Sequence, residues 1–244
     1  MPAARESLLD AAYTALTARA WPAVRMVDVA AAAGVSRQTL YNEFGSKEGL
    51  ARALVRRETD NYLAGVARAL ARGGSPVAGG RADAAAKVVA AAAWTLRTAR
   101  TNPLVRAALT GCWGDRLPLP AAPGEPLPPA GARPNGPAAR RTPPAPEGLL
   151  PGPAELVGRF RDQAVAALES GWPEEELPAL GAACETAVRL TLSCVVAPVA
   201  AGTKPGRVPA RRTRREAETE EVSRLVAGAF ARLSTVDARQ PEQG

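Results

Sequence analysis

Residues 26–50 read Met26-Val27-Asp28-Val29-Ala30-Ala31-Ala32-Ala33-Gly34-Val35-Ser36-Arg37-Gln38-Thr39-Leu40-Tyr41-Asn42-Glu43-Phe44-Gly45-Ser46-Lys47-Glu48-Gly49-Leu50. The spacing predicts two short helices, over about 26–33 and 37–44, that cross steeply. A steep crossing needs a small residue at the contact, and Ala30 supplies it. The turn between them needs one left-handed backbone position, which Gly34 accepts without steric cost. Val35 plugs the inside of the turn, and Ser36 is an N-cap whose hydroxyl can accept a backbone N–H. Val29, Leu40 and Phe44 share an inward side.

Working outward, a first helix is expected over about 3–19. Leu8, Leu9, Ala12, Tyr13 and Leu16 form its apolar face and receive Val29, Leu40 and Phe44. Trp21-Pro22 ends it. A longer helix is expected from near Ser46 to about 72. With the apolar positions inside, the helix over 37–44 turns Arg37, Gln38, Tyr41 and Asn42 outward. A short helix with guanidinium, amide and phenol groups at its start suits a major groove about 12 Å wide. Arg37 is suited to guanine and Gln38 to adenine, while Thr39 and Tyr41 suit phosphate oxygens or a thymine methyl. Ser46 and Lys47 open the next helix, where free backbone N–H groups and an ammonium favour a phosphate. A helical hairpin whose polar side simply faces water is the competing explanation; it does not account for small residue, glycine, cap and basic exit all falling at the required spacing.

The rest of the chain also reads as helix, at about 81–100, from Pro103 to near Gly111, and at about 154–170, 174–198 and 214–233. The expected fold class is therefore all-α. Between 114 and 153 the apolar period is lost, and thirteen of the chain's 23 prolines lie there. That segment is expected to be a Pro-rich loop or disordered insertion. The basic stretch 202–215 is expected to be a loop. The organisation implied is a DNA-binding domain over 1–50 and a helical regulatory and dimerisation domain over 51–244.

Composition narrows the chemistry. There are 31 Lys and Arg against 24 Asp and Glu, a formal net charge of +7, which favours a polyanionic partner. The chain has no histidine, which removes Ser-His-Asp and Cys-His catalysis and His-containing zinc sites. No Gly-rich phosphate loop follows a strand pattern, so no cofactor is expected and the chain does not read as an enzyme. Cys112, Cys184 and Cys194 form no metal-binding cluster, and Cys184 and Cys194 read as small buried hydrophobes. No run of 18 uninterrupted apolar residues predicts a membrane span. Arg5 and Glu6 stand where a secretory signal would be apolar, so the expected location is the cytoplasm.

The segment Val29 to Ser36, continued through Leu40-Tyr41-Asn42-Glu43-Phe44-Gly45-Ser46-Lys47-Glu48-Gly49-Leu50, resembles the signature of TetR-family regulators. The resemblance is specific over about 8–54; beyond it only helix order and approximate lengths agree. It implies an all-helical homodimer with an N-terminal DNA-binding domain and a larger ligand-sensing and dimerisation domain. It also implies DNA contacts by Arg37, Gln38, Thr39, Tyr41 and Lys47. Where that family often has a phosphate-touching threonine at the start of the second helix, this chain has Arg25. The helices over 174–198 and 214–233 are apolar enough to form a four-helix interface between two copies, although burial inside one subunit would explain the same stripes. Trp94, Leu96, Leu109, Trp113, Phe160 and Val165 are candidate linings of an effector pocket, or plain core. The few charges among them point to a hydrophobic effector. The partners expected are thus double-stranded operator DNA, a small-molecule effector and a second copy of the chain. Two readings of other classes stay open: a helical carrier or enzyme that keeps the N-terminal helices as scaffold, and a nonspecific architectural DNA binder.

Overall fold

The computed structural model describes residues 2–74, 81–118, 150–197 and 211–231. Among these every regular element is helical: α1 (Pro2–Ala18), α2 (Met26–Ala32), α3 (Arg37–Phe44), α4 (Lys47–Arg72), α5 (Arg81–Thr101), α6 (Pro103–Thr110), α7 (Pro153–Leu168), α8 (Leu177–Val196) and α9 (Arg211–Ala231). Short 3₁₀ turns at Trp21–Ala23, Glu169–Gly171 and Glu174–Glu176 join them. The fold class is all-α, as the sequence implies. The chain divides into two compact units, residues 1–57 with 113–150, and residues 58–112 with 151–244. The division falls inside α4.

In the first unit α1 packs on α2, and α2 on α3. Leu8, Leu9, Ala12 and Leu16 of α1 are buried, as are Val29, Ala30, Leu40 and Phe44. Leu50, Ala51, Ala53 and Leu54 on the first turns of α4 are buried too, at the three- and four-residue spacing of one helical face. Arg57 of α4 reaches back to α1, 2.7 Å from Asp10 and 3.5 Å from Glu6.

In the second unit α5 packs against α6, α8 and α9, and α8 packs against α7 and α9. Val88, Ala92, Leu96, Leu104, Leu109, Leu156, Phe160, Leu180, Val188, Val222 and Val226 are buried there. Helix α6 starts with a double cap, in which the Asn102 side-chain oxygen accepts from the N–H groups of Leu104 and Val105. The same amide donates to the buried Glu58 carboxylate at 2.6 Å, tying this junction to α4. The buried Tyr62 and Thr95 hydroxyls satisfy each other at 3.1 Å. Arg161 on α7 lies 3.5 Å from Glu185 on α8.

Several expectations shift. The basic run at 211–215, expected as loop, forms the opening turns of α9; arginine is a good helix former, and no Gly or Pro interrupts the run. Pro153, expected inside the Pro-rich insertion, occupies the first turn of α7, where a missing N–H costs nothing. Residues 119–149 of that insertion, and Leu233, lie outside the described residues. Helix α8 and the turn before it, Glu174–Val196, are long and apolar enough to cross a membrane, with mean hydropathy 1.4 over the most apolar window. The helix nevertheless buries Leu180, Ala183, Cys184, Ala187, Val188, Cys194 and Val195 among its neighbours. The Glu185–Arg189 ion pair sits on its outer side. Such a helix belongs to a protein core.

Two outcomes test this packing. Cys112 is exposed, whereas Cys184 and Cys194 are buried and desolvation pushes the Cys184 thiol up to about 12. An aromatic disulfide reagent at pH 8 should therefore titrate one thiol of the native chain quickly and all three only in denaturant. Burial also pushes the Tyr62 phenol up to about 12, against about 10 for an unfolded tyrosine. Stability should fall as pH rises from about 10 towards 12, because only the unfolded chain can ionise that group. Denaturation midpoints of Tyr62→Phe should decline less steeply over that window.

Candidate DNA-reading helix-turn-helix

The turn between α2 and α3 is built by backbone geometry that the sequence permits at one residue. Gly34 adopts φ +68°. With that angle the Val35 N–H reaches back to the Ala30 carbonyl at 3.0 Å, and the Gly34 N–H reaches Ala31 at 3.1 Å. This paired pattern closes the C-terminus of α2 as a Schellman motif. Two residues later Ser36 caps α3: its hydroxyl oxygen accepts the Thr39 N–H at 3.0 Å and lies 2.8 Å from the Thr39 hydroxyl. The axis of α3 is therefore set at its start by a glycine turn and a serine cap.

Its far end is held differently. Arg5 of α1 donates to the Glu43 carboxylate at 2.9 Å, and its guanidinium carbon lies 5.0 Å from the centroid of the Phe44 ring. An ion pair and a cation–π contact thus converge on the last turn of α3. Sequence reasoning missed Arg5, since nothing local connects it with Glu43. It also passed over Gly49, where a Cβ would collide with the Phe44 carbonyl oxygen.

The eight residues singled out as DNA contacts all fall in the first unit. Arg37, Gln38, Tyr41 and Asn42 are exposed on the outer side of α3, opposite the buried Leu40 and Phe44. Tyr41 is one of two large apolar side chains left exposed among the described residues. Gln38 donates to the Asn42 side-chain carbonyl at 2.8 Å, which steadies both amides while each retains a donor and an acceptor. Thr39 differs from its neighbours: its hydroxyl is engaged with Ser36, so it belongs to the cap as much as to the outer face.

Ser46 caps α4, accepting the Gly49 N–H at 3.1 Å. Lys47 is held in place: its ammonium donates to the Pro22 carbonyl at 3.1 Å and lies 5.5 Å from the centroid of the Trp21 ring. Partial burial lowers its pKa, against an opposing pull from Glu48. Arg25 occupies the N-cap position of α2 but its side chain makes no cap; it is exposed, 3.8 Å from Asp28. The residues assigned to a pocket are not assembled into one. Leu96, Leu109 and Phe160 are buried core, Val165 is half-buried on α7, and Trp113 belongs to the first unit. Trp94 lines an open groove of the second unit.

Residues 8–54 match the model of a family described as bacterial regulatory proteins, tetR family. The HTH-type transcriptional regulator AlkX of Mycobacterium tuberculosis is 51% identical over 59 residues, 24% of this chain and 28% of that protein. The likeness to the tetR family is carried by residues 8–54. The matched region spans little more than a quarter of AlkX. The TetR-family repressor AlkX of Dietzia sp. strain DQ12-45-1b, implicated in biodegradation of n-alkanes, aligns with 20% identity over 95% of both chains and a TM-score of 0.46. A tetR-family regulator of Streptomyces coelicolor aligns with 20% identity and a TM-score of 0.47, over 100% of this chain and 92% of that one. The tetR-family match coincides with the elements just described, from Leu8 on α1 to Leu54 on α4.

The cap and the clamp make separable predictions. Ser36→Ala should cost about 1 kcal/mol of stability by removing the acceptor for the Thr39 N–H. Arg5→Ala, read by amide hydrogen exchange, should raise exchange in the last turn of α3 more than in α2.

Proposed function

We propose that this protein is a ligand-responsive transcriptional repressor that binds a palindromic operator as a homodimer. The observation that carries the reading is the face of α3. Arg37, Gln38, Tyr41 and Asn42 project from a short helix held at both ends, with no apolar partner covering them among the described residues. Bidentate groups on a rigid helix are what base-edge reading in the major groove requires. Arg25, Thr39, Ser46 and Lys47 frame that face as phosphate contacts, and the formal net charge of +7 adds a sequence-independent attraction.

Dimerisation through α8 and α9 would present two such helices to successive major grooves, with half-sites about 34 Å apart or slightly more. The adjacency of these two helices in the second unit supports that reading. An effector favouring the conformation with badly spaced recognition helices would weaken operator binding by its differential affinity. The protein acts in the cytoplasm, where its operator is.

Selection from random duplex DNA should return a palindrome, bound with an affinity that falls steeply with salt. Arg37→Ala should cost about 1–3 kcal/mol and relax preference at one position of each half-site. Lys47→Ala should weaken all sequences alike and reduce the salt slope by about one per contact. Unchanged DNA affinity in both variants would overturn the proposal; equal affinity for a scrambled operator would make the protein an architectural binder instead.

A further inference from the structure

Helices α4 and α5 lie side by side along a stretch of unusually small residues in the second unit. Gly65 and Ala69 on α4 and Gly73 just past its end recur every fourth residue, and they line a groove together with Ala90, Ala93 and Trp94 of α5. A Cβ at Gly65 would overlap the Trp94 indole, and one at Gly73 would crowd Lys87 and Ala90. The glycines therefore let the two helices approach and let the indole lie against α4. Its ring is fixed, because Nε1 donates to the Tyr62 carbonyl at 3.1 Å.

These residues line an open groove of about 410 Å³, within the range of small-molecule sites. Its rim carries Arg68 and Arg72 on α4 and Arg97 on α5, all exposed. None of the three forms an ion pair with a described carboxylate, whereas Lys87 nearby is paired with Asp83 at 2.8 Å. Three guanidinium groups with no described carboxylate partner thus stand around an apolar floor. They complement an anionic ligand that brings its own apolar surface.

We propose that this groove binds an aryl carboxylate, its ring stacked on the Trp94 and alanine floor and its carboxylate held by Arg97 and Arg68. The floor has no side chain beyond Cβ except Trp94, so it is shallow and flat. A rigid planar body covers such a floor without the rotamer entropy that an alkyl chain would lose in an open groove. The proposal deepens the ligand-responsive reading and rests on it for regulatory meaning, but the binding step is measurable without DNA.

The test is calorimetry of the full chain with 1-naphthoate, its neutral counterpart 1-naphthalenemethanol, and decanoate. Saturable sub-millimolar binding of naphthoate is expected, with the alcohol and decanoate each weaker by roughly tenfold or more, the worth of charge-assisted hydrogen bonds and of stacking. The exposed R68Q and R97Q variants should each weaken naphthoate by a similar factor at unchanged denaturation midpoint, and W94L should remove the preference for naphthoate over decanoate. Absence of naphthoate binding, equal binding of the alcohol, tighter binding of decanoate, or indifference to both arginine variants would overturn the site. A separate operator-release assay tests the regulatory reading. Naphthoate binding that R97Q weakens, with operator affinity unmoved by naphthoate, would leave the site standing and remove its role as effector site.

Discussion

A left-handed backbone angle at Gly34 is the constraint on which the helix-turn-helix depends. A residue with a Cβ resists φ +68° by roughly 1–2 kcal/mol. Without that angle, the hydrogen bonds from Gly34 and Val35 back to α2 would not form. The chain would then leave α2 in another direction, and Leu40 and Phe44 would lose their place in the core. Ser36 caps α3 only two residues later, so the direction chosen at the glycine becomes the direction of α3.

The clamp at the other end adds a different kind of control. Arg5 is on α1, 38 residues before Glu43, and is partly exposed, so its ion pair is worth little as stability. Its value lies in orientation: the guanidinium engages a carboxylate and an aromatic ring on consecutive residues at once. Lys47 is treated similarly, lodged between the Pro22 carbonyl and the Trp21 ring. A lysine so held has less side-chain freedom left to lose than one extended into water. The arrangement exchanges some hydration of the ammonium for preorganisation.

Helix existence was legible nearly throughout, because the 3.6-residue apolar period of α1, α5, α7 and α8 is strong and each is bounded by Pro, Gly or a capping residue. The helix-turn-helix was legible to the residue, since Ala30, Gly34 and Ser36 act through backbone geometry within a few positions of themselves. The basic start of α9 differs from the loop expected there, because the helix propensity of arginine prevails once the run is past the prolines at 205 and 209. The choice between pocket lining and plain core was not legible, for a more basic reason. An apolar residue on an apolar face has the same sequence signal whether a side chain or a ligand covers it, and Leu96, Leu109 and Phe160 turned out to be covered by protein.

The sequence by itself determined the turn, the cap and the outward set Arg37, Gln38, Tyr41 and Asn42, because these follow from φ preference, hydrogen bonding within one turn and helical period. Only the tertiary structure decided which distant groups meet: Arg5 with Glu43, Asn102 with Glu58, and Gly65 with the Trp94 indole. Those contacts depend on how helices approach in space, and nothing in local spacing encodes that distance. The groove between α4 and α5 exists for the same reason. A glycine inside a helix costs stability by itself, yet Gly65 is what lets the Trp94 indole lie against α4.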